Sequence, residues 1–385
     1  MKKVDRKTVR LFKKIATILS PPPVLTVSQW ADEYRRLSPE ASAEPGRWNT
    51  DRAPYQRAIM DAVNDARCED IIIMSSAQVG KTELILNIIG YYIDYDPSPI
   101  LALQPTLEMA QTFSKDRLAP MLRDTPALKG KVKDARSRDS GNTILHKTFP
   151  GGHITMVGAN SAAGLASRPI KVVLMDEVDR YPASAGTEGD PIKLAEKRTT
   201  TFWNRKKIKV STPTIKGRSP IEKEFLTSSM EEWNVPCPCC GKYQPYEWGR
   251  IHFSDVTMEC KFCLEHISER DWKSNPGKWV AAKENNKKRG FHLNELASPW
   301  KHWEEIIEDF KEADRDRKQG DIEKLKTFVN TALGEPWEER GEAADDNVLL
   351  SRRERYNADL PYGVLLVTAG VDVQDDRFEV EITGW

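Results

Sequence analysis

Apolar residues follow two different spacings along the chain. Up to residue 63 they recur three or four positions apart, which is the spacing of one face of an α-helix. We therefore predict one helix after Ser28 and a second from Tyr55, with the turn-rich segment 38–54 between them. The apolar positions are Trp30, Tyr34 and Leu37 in the first helix, and Tyr55, Ala58, Ile59, Ala62 and Val63 in the second.

From Asp70 onwards, short continuous apolar runs alternate with stretches of helical character. The runs lie at residues 71–73, 100–103, 153–159, 171–177 and 207–212 and are rich in β-branched residues. Such runs are typical of parallel strands that are buried on both faces, with helices as the connections between them. The pattern predicts a three-layer α/β domain with a parallel sheet over residues 55–229.

Four other segments complete the predicted organisation. Residues 1–54 form a basic arm and a helix, residues 230–268 a cysteine-rich insert, and residues 269–360 a helical linker region. Residues 361–385 are predicted to form a strand, a turn and a second strand. Because a lone hairpin leaves its edges unpaired, we expect the chain to be the front part of a longer protein. The helical stripes of the linker region are Trp303, Ile306, Ile307 and Phe310, then Leu325, Phe328, Val329 and Ala332.

Composition and charge narrow the class of protein. Hydrophobic residues make up 39% of the chain and charged residues 30%, which is typical of a globular protein with a sizeable core. No apolar run reaches the ~18 residues that span a bilayer, and the basic N-terminus lacks the apolar core of a signal peptide. We therefore expect an intracellular protein with no membrane partner.

The net charge of zero argues against a uniformly positive surface that coats nucleic acid, but it leaves room for a local basic track. Residues 1–14 hold seven Lys and Arg against one Asp, and Lys129 to Arg138 hold five against one. A solvated face or a mobile tail is the simpler explanation of each cluster.

The stretch MSSAQVGKTE (74–83) resembles a phosphate-binding loop, in which backbone N–H groups and a helix N-terminus meet a phosphate. Ser75 stands where the usual pattern has its first glycine, but the sequence still predicts a strand before the loop and a helix after it. Lys81 supplies the positive charge and Thr82 the hydroxyl for Mg²⁺. The predicted nucleotide-binding residues are Ser75, Ser76, Ala77, Gln78, Val79, Gly80, Lys81 and Thr82.

An apolar strand that ends in two acids supplies the second half of the predicted site. Asp176 is expected to hold Mg²⁺ through water, and Glu177 to polarise the attacking water. An Asp-Glu pair after a buried strand also occurs simply as a surface turn. Its combination with strand, loop and GKT predicts a site that hydrolyses ATP.

Three further features fit such a site, and the first two also have a plainer explanation. Tyr55 and Gln56 are candidates to stack on and hydrogen-bond adenine, or they simply begin a helix. Arg168 is a candidate for stabilising charge on the phosphate, or a surface arginine. The polar loop after the strand at 207–212 could sense the γ-phosphate; its residues are Ser211, Thr212, Pro213 and Thr214.

Five of the six cysteines fall between Cys237 and Cys263. Their pattern C-x2-C-x19-C-x2-C predicts a structural zinc site with four thiolate ligands and no open position. The predicted ligands are Cys237, Cys240, Cys260 and Cys263. Cys239 is expected to be free, and His266 is an alternative ligand.

Taken together, these residues resemble the large subunit of tailed-phage terminases of the lambda-like type, the motors that package DNA. The resemblance covers nearly the whole chain and rests on these segments: 37–48, PYQRAIMDAV (54–63), SSAQVGKTE (75–83), 101–122, LMDEVDRYP (174–182), STPT (211–214), TFVNTALGEPWEE (327–339) and AGVDVQDDRFEVEITGW (369–385).

The resemblance implies a P-loop NTPase fold of the ASCE or RecA-like type, with a zinc-ribbon-like insert and the start of an RNase H-like nuclease domain. It implies the same roles for Lys81, Thr82, Asp176 and Glu177, and it makes Asp372 the first metal-binding acid of the nuclease. Since a two-metal nuclease needs carboxylates from several strands, we expect this chain to hydrolyse ATP but not to cut DNA by itself.

The resemblance also implies double-stranded DNA, a terminase small subunit and the portal protein of the procapsid as partners. It implies a homo-oligomeric ring during packaging and a location in the cytoplasm of the bacterial host. Two alternatives remain open at this point. One is a helicase-like ATPase with a zinc ribbon, which would need a second RecA-like domain. The other is a non-catalytic DNA-binding scaffold with a degenerate nucleotide site.

Overall fold

The computed structural model describes residues 24–132, 142–165, 168–285, 287–339, 360–373 and 378–385, together with the single positions 7 and 12. The basic arm predicted over residues 1–14 lies outside the described residues apart from positions 7 and 12, and so does the basic cluster from 133 onwards. The chain divides into two compact units, Met1–Glu338 and Glu339–Trp385. No described helix is long and apolar enough to cross a membrane.

The first unit is built on a ten-stranded mixed sheet. Its strands are β3 (Asp70–Ser75), β4 (Ile100–Gln104), β5 (His146–Phe149), β6 (Gly152–Gly158), β7 (Val172–Asp176), β8 (Lys206–Ser211), β9 (Glu231–Pro236), β10 (Tyr243–Pro245), β14 (Lys278–Ala281) and β15 (Lys288–Leu293). Their order in the sheet is β10-β9-β15-β3-β8-β7-β4-β6-β5, and β14 also pairs with β9. Seven neighbouring strands, from β9 to β6 in this order, are parallel, and β5, β10 and β14 pair antiparallel at the margins.

Helices cover both faces of this sheet, as the apolar runs predict. Alternate residues of the central strands point to opposite faces, so Ile71 and Ile73 enter one core while Ile72 and Met74 enter another. Each face therefore has its own apolar cluster, which is why the strands are continuously apolar. The helices are α1 (Val27–Tyr34), α2 (Tyr55–Asp61), α3 (Lys81–Asp94), α4 (Leu107–Thr112), α5 (Ala119–Asp124), α6 (Ala162–Leu165), α7 (Pro191–Lys197), α8 (Pro220–Leu226), α9 (Glu269–Lys273), α10 (Trp303–Lys318) and α11 (Glu323–Phe328).

The five predicted strands correspond to β3, β4, β6, β7 and β8, and the helices predicted near Ser28 and Tyr55 correspond to α1 and α2. Leu37, assigned to the first helix, lies instead in β1 (Arg36–Leu37), which pairs with β2 (Gly46–Arg47). Helix α1 ends at Tyr34 and packs on α3, where the ring of Trp30 fills the space above Gly90. Gly90 is required there because any side chain would meet that ring.

The sheet extends beyond the predicted boundary at residue 229. Strand β15 lies beside β3 at the centre of the sheet, although residues 269–360 were expected to be helical. Its sequence KRGFHL begins with two charges and a glycine, so it lacks the continuous apolar run by which the other strands were recognised. Arg289 is held by two hydrogen bonds of 2.7 Å to Glu231 of β9. The helical stripes at 303–310 and 325–332 do fall in α10, α11 and the π-helical turn Val329–Leu333.

The cysteine-rich segment contributes a separate three-stranded antiparallel sheet of β11 (Ile251–His252), β12 (Thr257–Glu259) and β13 (His266–Ser268). Helix α9 follows it, and Trp272 of this helix donates a hydrogen bond of 3.2 Å to the carbonyl of Met258. We call residues 237–273 the ribbon. Strand β9 precedes the ribbon and β14 follows it, and both belong to the main sheet, which β10 within the ribbon also joins. The ribbon is therefore an insertion into that sheet's topology.

The second unit contains the predicted terminal hairpin, formed by β16 (Val367–Val373) and β17 (Phe378–Gly384). The two strands are antiparallel, and Asp372 pairs with Glu379 in the backbone register. The part of the predicted linker between residues 340 and 359 lies outside the described residues.

Candidate functional site

The phosphate loop connects β3 to α3 at the carboxyl edge of the parallel sheet. Gly80 has φ +84°, a left-handed conformation that glycine adopts without steric cost, and α3 begins at the next residue. Thr82 lies in the first turn of this helix. The loop therefore has the form that the sequence predicts, with the free N–H groups of a helix N-terminus next to Lys81.

Lys81 points back under the loop and towards the acid strand. Its Nζ donates a hydrogen bond of 3.1 Å to the carbonyl of Ser76 and lies 3.7 Å from Oε1 of Glu177. Burial lowers the pKa of Lys81, and the nearby carboxylates of Glu177 and Asp176 oppose that shift. The structure thus brings the two halves of the predicted site together from separate strands.

Asp176 ends β7 and Glu177 follows it; β7 is separated from β3 by β8. Burial, followed by repulsion from Glu177, raises the pKa of Asp176 to about 6. Gln104, at the end of β4, donates a hydrogen bond of 3.1 Å to Oδ2 of Asp176 and so orients this carboxylate. Glu177 adopts φ +53°, which turns the chain sharply after the strand. Gln104 was not predicted, because only the strand order shows that β4 ends beside β7.

The loop Ser211–Thr214 leaves β8 between the two halves of the site. The Thr212 hydroxyl lies 3.4 Å from Oε2 of Glu177, and the Thr214 hydroxyl donates a hydrogen bond of 2.8 Å to Asp179. The backbone N–H of Asp179 donates in turn to Oγ of Ser211. Asp179, which the sequence analysis missed, therefore ties this loop to the acid strand. Pro213 occupies the middle of the loop.

Tyr55 and Gln56 lie behind the phosphate loop. The Tyr55 hydroxyl and the Gln56 amide both donate to the carbonyl of Val79, at 3.3 and 3.0 Å. The Tyr55 side chain is 1% exposed, so its ring has no free face on which a base could stack. The stacking role predicted for Tyr55 is therefore wrong for this conformation, because the ring packs into the core. The Oε1 atom of Gln56 is buried and has no hydrogen-bond partner among the residues that the structure describes, so it remains available as an acceptor.

A segment from the predicted linker region braces the phosphate loop. The N–H groups of Ser76 and Ala77 donate to the carbonyls of Leu293 (2.9 Å) and Thr331 (2.7 Å). Three residues beyond Thr331, Gly334 has φ +66° and approaches the backbone of Ser76 closely. We call residues 329–338 the brace. The sequence pattern gives no local signal for this contact.

The brace also contacts the loop after β8. The N–H of Trp337 donates a hydrogen bond of 2.7 Å to the carbonyl of Thr214, and the N–H of Lys216 donates one of 2.9 Å to the carbonyl of Trp337. One short segment therefore contacts both the phosphate loop and the loop that faces Glu177.

Arg168 is not brought to this site. It precedes β7 at the opposite edge of the sheet, where its guanidinium lies 3.4 Å from Nε2 of His146. The arginine near the acid pair is Arg180, whose Nε lies 3.7 Å from Oε2 of Glu177 and whose side chain is 62% exposed. Arg168 lies before the first residue of β7, whereas the phosphate loop lies at the carboxyl edge of the sheet. The length of β7 therefore keeps Arg168 away from the phosphate loop of its own chain.

The four predicted zinc ligands do cluster. Their Sγ atoms all lie within 4.8 Å of one another, with Cys237 to Cys263 at 3.7 Å and Cys240 to Cys260 at 3.8 Å. A tetrahedral ion with Zn–S bonds of about 2.3 Å needs sulfur atoms about 3.8 Å apart. The cluster therefore fits zinc. Cys239 is exposed and stands outside it, and His266 belongs to a different group of side chains.

Asp372 lies in the second unit, near the end of β16.

Comparison with known proteins places these features in a family. Residues 42–279 match the model of the phage terminase large subunit gpA, ATPase domain, and residues 288–385 match that of the terminase large subunit gpA, endonuclease domain. The second match begins at β15, so its first part lies within the first compact unit.

The chain is 33% identical to the terminase large subunit of Enterobacteria phage P21 and 29% identical to that of Escherichia phage lambda. Each alignment covers 96% of this chain and 62% of the relative, so the chain spans less than two thirds of their length. The solved ATPase domain of the large terminase of Thermus phage P74-26 aligns with 78% of this chain and 99% of its own, at 13% identity and a TM-score of 0.42. The matched models span nearly the whole sequence, and the chain belongs to the gpA family of phage terminase large subunits.

Proposed function

We propose that this chain is the ATP-hydrolysing motor part of a viral machine that packages double-stranded DNA. The observation that carries the proposal is the convergence of Lys81 and Glu177, whose Nζ and Oε1 atoms lie 3.7 Å apart although Lys81 begins α3 and Glu177 follows β7. A buried lysine at the N-terminus of a helix, facing an acid pair across β8, suits the binding of a nucleotide's phosphates and the attack of water on them.

Each residue has a distinct role in this mechanism. Lys81 leaves its contact with Glu177 to neutralise the β- and γ-phosphates, and the loop from Ser75 to Gly80 surrounds them. Thr82 and Asp176 would hold Mg²⁺, which neutralises charge that develops on the phosphates. Glu177 orients and polarises the attacking water. Gln104 keeps the Asp176 carboxylate in place through its hydrogen bond.

We further propose that the loop Ser211–Thr214 couples hydrolysis to movement. Thr212 is 3.4 Å from the catalytic carboxylate of Glu177, so a change around the γ-phosphate would act on it directly. Asp179 contacts Ser211 and Thr214 at the two ends of this loop, and the brace contacts Thr214 as well. A shift of the loop would therefore be transmitted to the brace, which also contacts the phosphate loop.

The cysteine cluster is proposed to be a structural zinc site, because all four thiols converge at the spacing of a tetrahedral ion. Four ligands leave no open position for water, so this ion would hold the ribbon together. Asp372 is proposed to be the first metal-binding acid of an RNase H-like nuclease, in keeping with the endonuclease-domain match over residues 288–385.

The packaging proposal implies partners for the whole protein. These are double-stranded DNA, a terminase small subunit and a portal protein, with several copies of the chain in a ring, in the cytoplasm of the bacterial host. An arginine from a neighbouring copy would then be able to reach the phosphates, and Arg168 is a candidate for that role because its own chain places it at the far edge of the sheet.

The helicase alternative would need a second RecA-like domain. Among the described residues there is no second parallel sheet, since β9 and β15 join the first, so we favour the motor proposal.

DNA-stimulated ATP hydrolysis tests the motor proposal against the alternative of a non-catalytic scaffold. We expect double-stranded DNA to increase turnover in the wild type and not in Lys81→Ala. Turnover that is equally low in both proteins, with and without DNA, would favour the scaffold.

A further inference from the structure

Three potential metal ligands converge on one face of the ribbon, apart from the cysteine cluster. They are His252, Glu259 and His266, one from each strand of the three-stranded sheet. In the strand register, Glu259 pairs directly with His266, and His252 pairs with Thr257, two residues before Glu259. Directly paired residues, and residues two apart on one strand, share a face of a sheet. All three side chains therefore project from the same face.

The opposite face of this small sheet explains the arrangement. Ile251 and Met258 are buried there in the apolar cluster shared with α10, and Ile267 packs against the same cluster. Because strands alternate, the apolar face fixes which side chains point outwards. The histidines are consequently about 40% exposed and Glu259 28% exposed, so an ion could reach them.

The ligand atoms meet around one carboxylate oxygen. Oε2 of Glu259 lies 3.8 Å from Nε2 of His252 and 3.9 Å from Nε2 of His266. Ligands at about 2.0–2.2 Å from a tetrahedral zinc ion are separated by about 3.3–3.6 Å. The two distances from Glu259 are therefore a few tenths of an ångström longer than in a bound state, and all three ligand atoms lie within 4.8 Å of one another, so side-chain shifts would bring them to coordination distance.

Neighbouring polar groups hold these ligands in orientations that suit a metal. Arg250 donates a hydrogen bond of 2.8 Å to Oε1 of Glu259, which leaves Oε2 facing the histidines. The other ring nitrogen of His266, Nδ1, lies 3.8 Å from Asp255, and Asp255 accepts a hydrogen bond of 3.0 Å from Thr257. At 3.8 Å the His266–Asp255 contact is an ion-pair distance and not a hydrogen bond. A shift that closes it would give His266 the carboxylate partner that metal-binding histidines commonly have.

We propose that His252, Glu259 and His266 form a second site for a transition-metal ion of the zinc class, distinct from the cysteine cluster. Two imidazoles and one carboxylate are a ligand set that zinc accepts, with water at the fourth position. Strands β11 to β13 contain only two or three residues each. An ion bound to His252, Glu259 and His266 would link the three strands on the face of the sheet opposite the apolar cluster. Without an ion, the rings of His252 and His266 lie with their centroids 3.8 Å apart and tilted by 41°, beside the ion pair of Arg250 and Glu259.

Calorimetric titration of Zn²⁺ tests the site in a protein whose cysteine cluster is already filled with zinc. Cys239→Ser serves as the background, because Cys239 is an exposed thiol outside the cluster that would bind zinc on its own. We expect one further binding event per chain. His252→Ala and His266→Ala should weaken it by more than the roughly 10- to 100-fold that loss of an outer-shell partner costs.

Two further variants keep the test independent of folding. Glu259→Gln retains the size of the side chain and an oxygen for Arg250, and it should also weaken the event. His302→Asn removes an exposed histidine outside the ribbon while keeping a side chain suited to begin a helix, and it should leave the event unchanged. The proposal is overturned if no second event occurs, or if its affinity is the same in His252→Ala and His266→Ala as in the background protein.

Discussion

Gly334 provides a test of the contact between the brace and the phosphate loop. It has φ +66°, and a Cβ added to it would lie 2.6 Å from the nitrogen of Ser76 and 2.8 Å from the carbonyl carbon of Ser75. Both neighbours are backbone atoms, so neither can swing aside as a side chain would. Gly334→Ala must therefore displace either the brace or the phosphate loop.

The expected cost has two parts. A left-handed conformation costs an alanine roughly 1–2 kcal/mol, and forcing extra atoms into a packed site costs about 1–3 kcal/mol more. We therefore expect Gly334→Ala to lower the free energy of unfolding by roughly 2–5 kcal/mol. Gly320→Ala is the matched control, because Gly320 has φ +97° and no atom of the described residues lies within 4 Å of its added Cβ. It should lose only the conformational part.

Urea unfolding measures these losses, and steady-state ATP hydrolysis measures their consequence. The Thr331 carbonyl of the brace accepts a hydrogen bond from the N–H of Ala77 in the phosphate loop. Displacement of the brace in Gly334→Ala should therefore disturb the phosphate loop and raise the KM for ATP severalfold. Gly320→Ala should keep the wild-type KM. If the two variants lose the same stability and share the wild-type KM, the brace does not support the loop.

Three further changes probe the acid pair, the coupling loop and the ribbon. Burial raises the pKa of Asp176 from 3.8 to about 6, so ionisation of this carboxyl opposes folding as the pH rises through that window. At pH 7, without Mg²⁺ or nucleotide, Asp176→Asn should therefore have a free energy of unfolding in urea that is roughly 1–3 kcal/mol higher than that of the wild type. The gain should vanish near pH 4, and a pH-independent difference would contradict this reasoning. Asp179→Ala leaves the Thr214 hydroxyl and the Ile221 N–H without their acceptor, which should cost about 1–3 kcal/mol in the same assay; an unchanged midpoint would argue against the tie. Cys240→Ser removes one thiolate of the proposed zinc site, so the variant should contain less zinc than the wild type when the metal content is measured after gel filtration. A zinc content equal to that of the wild type would refute the assignment.

The sequence predicted the parts of the fold whose signals are local. The five central strands are continuous apolar runs because helices cover both faces of the sheet, and the GKT loop and the acid pair each adjoin such a run. The cysteine spacing likewise predicted a cluster that the folded chain brings together. In each case the residues that carry the signal are neighbours in sequence.

What the sequence did not predict depends on contacts between distant segments. Strand β15 is central because Arg289 pairs with Glu231 and because its backbone fits beside β3, neither of which leaves an apolar run. The adenine-stacking role of Tyr55 was wrong because the burial of a ring depends on everything packed around it. Gln104 and Asp179 reach the site only through the strand order, which local periodicity does not specify.

ATP hydrolysis by Glu177→Gln tests the central claim most directly. The substitution keeps the size of the side chain but removes the carboxylate that is proposed to polarise the attacking water, while Lys81 and the phosphate loop remain. We predict that the wild type turns over ATP with Mg²⁺, and that Glu177→Gln binds ATP but loses at least about 100-fold in kcat. A kcat for Glu177→Gln equal to that of the wild type would contradict the account.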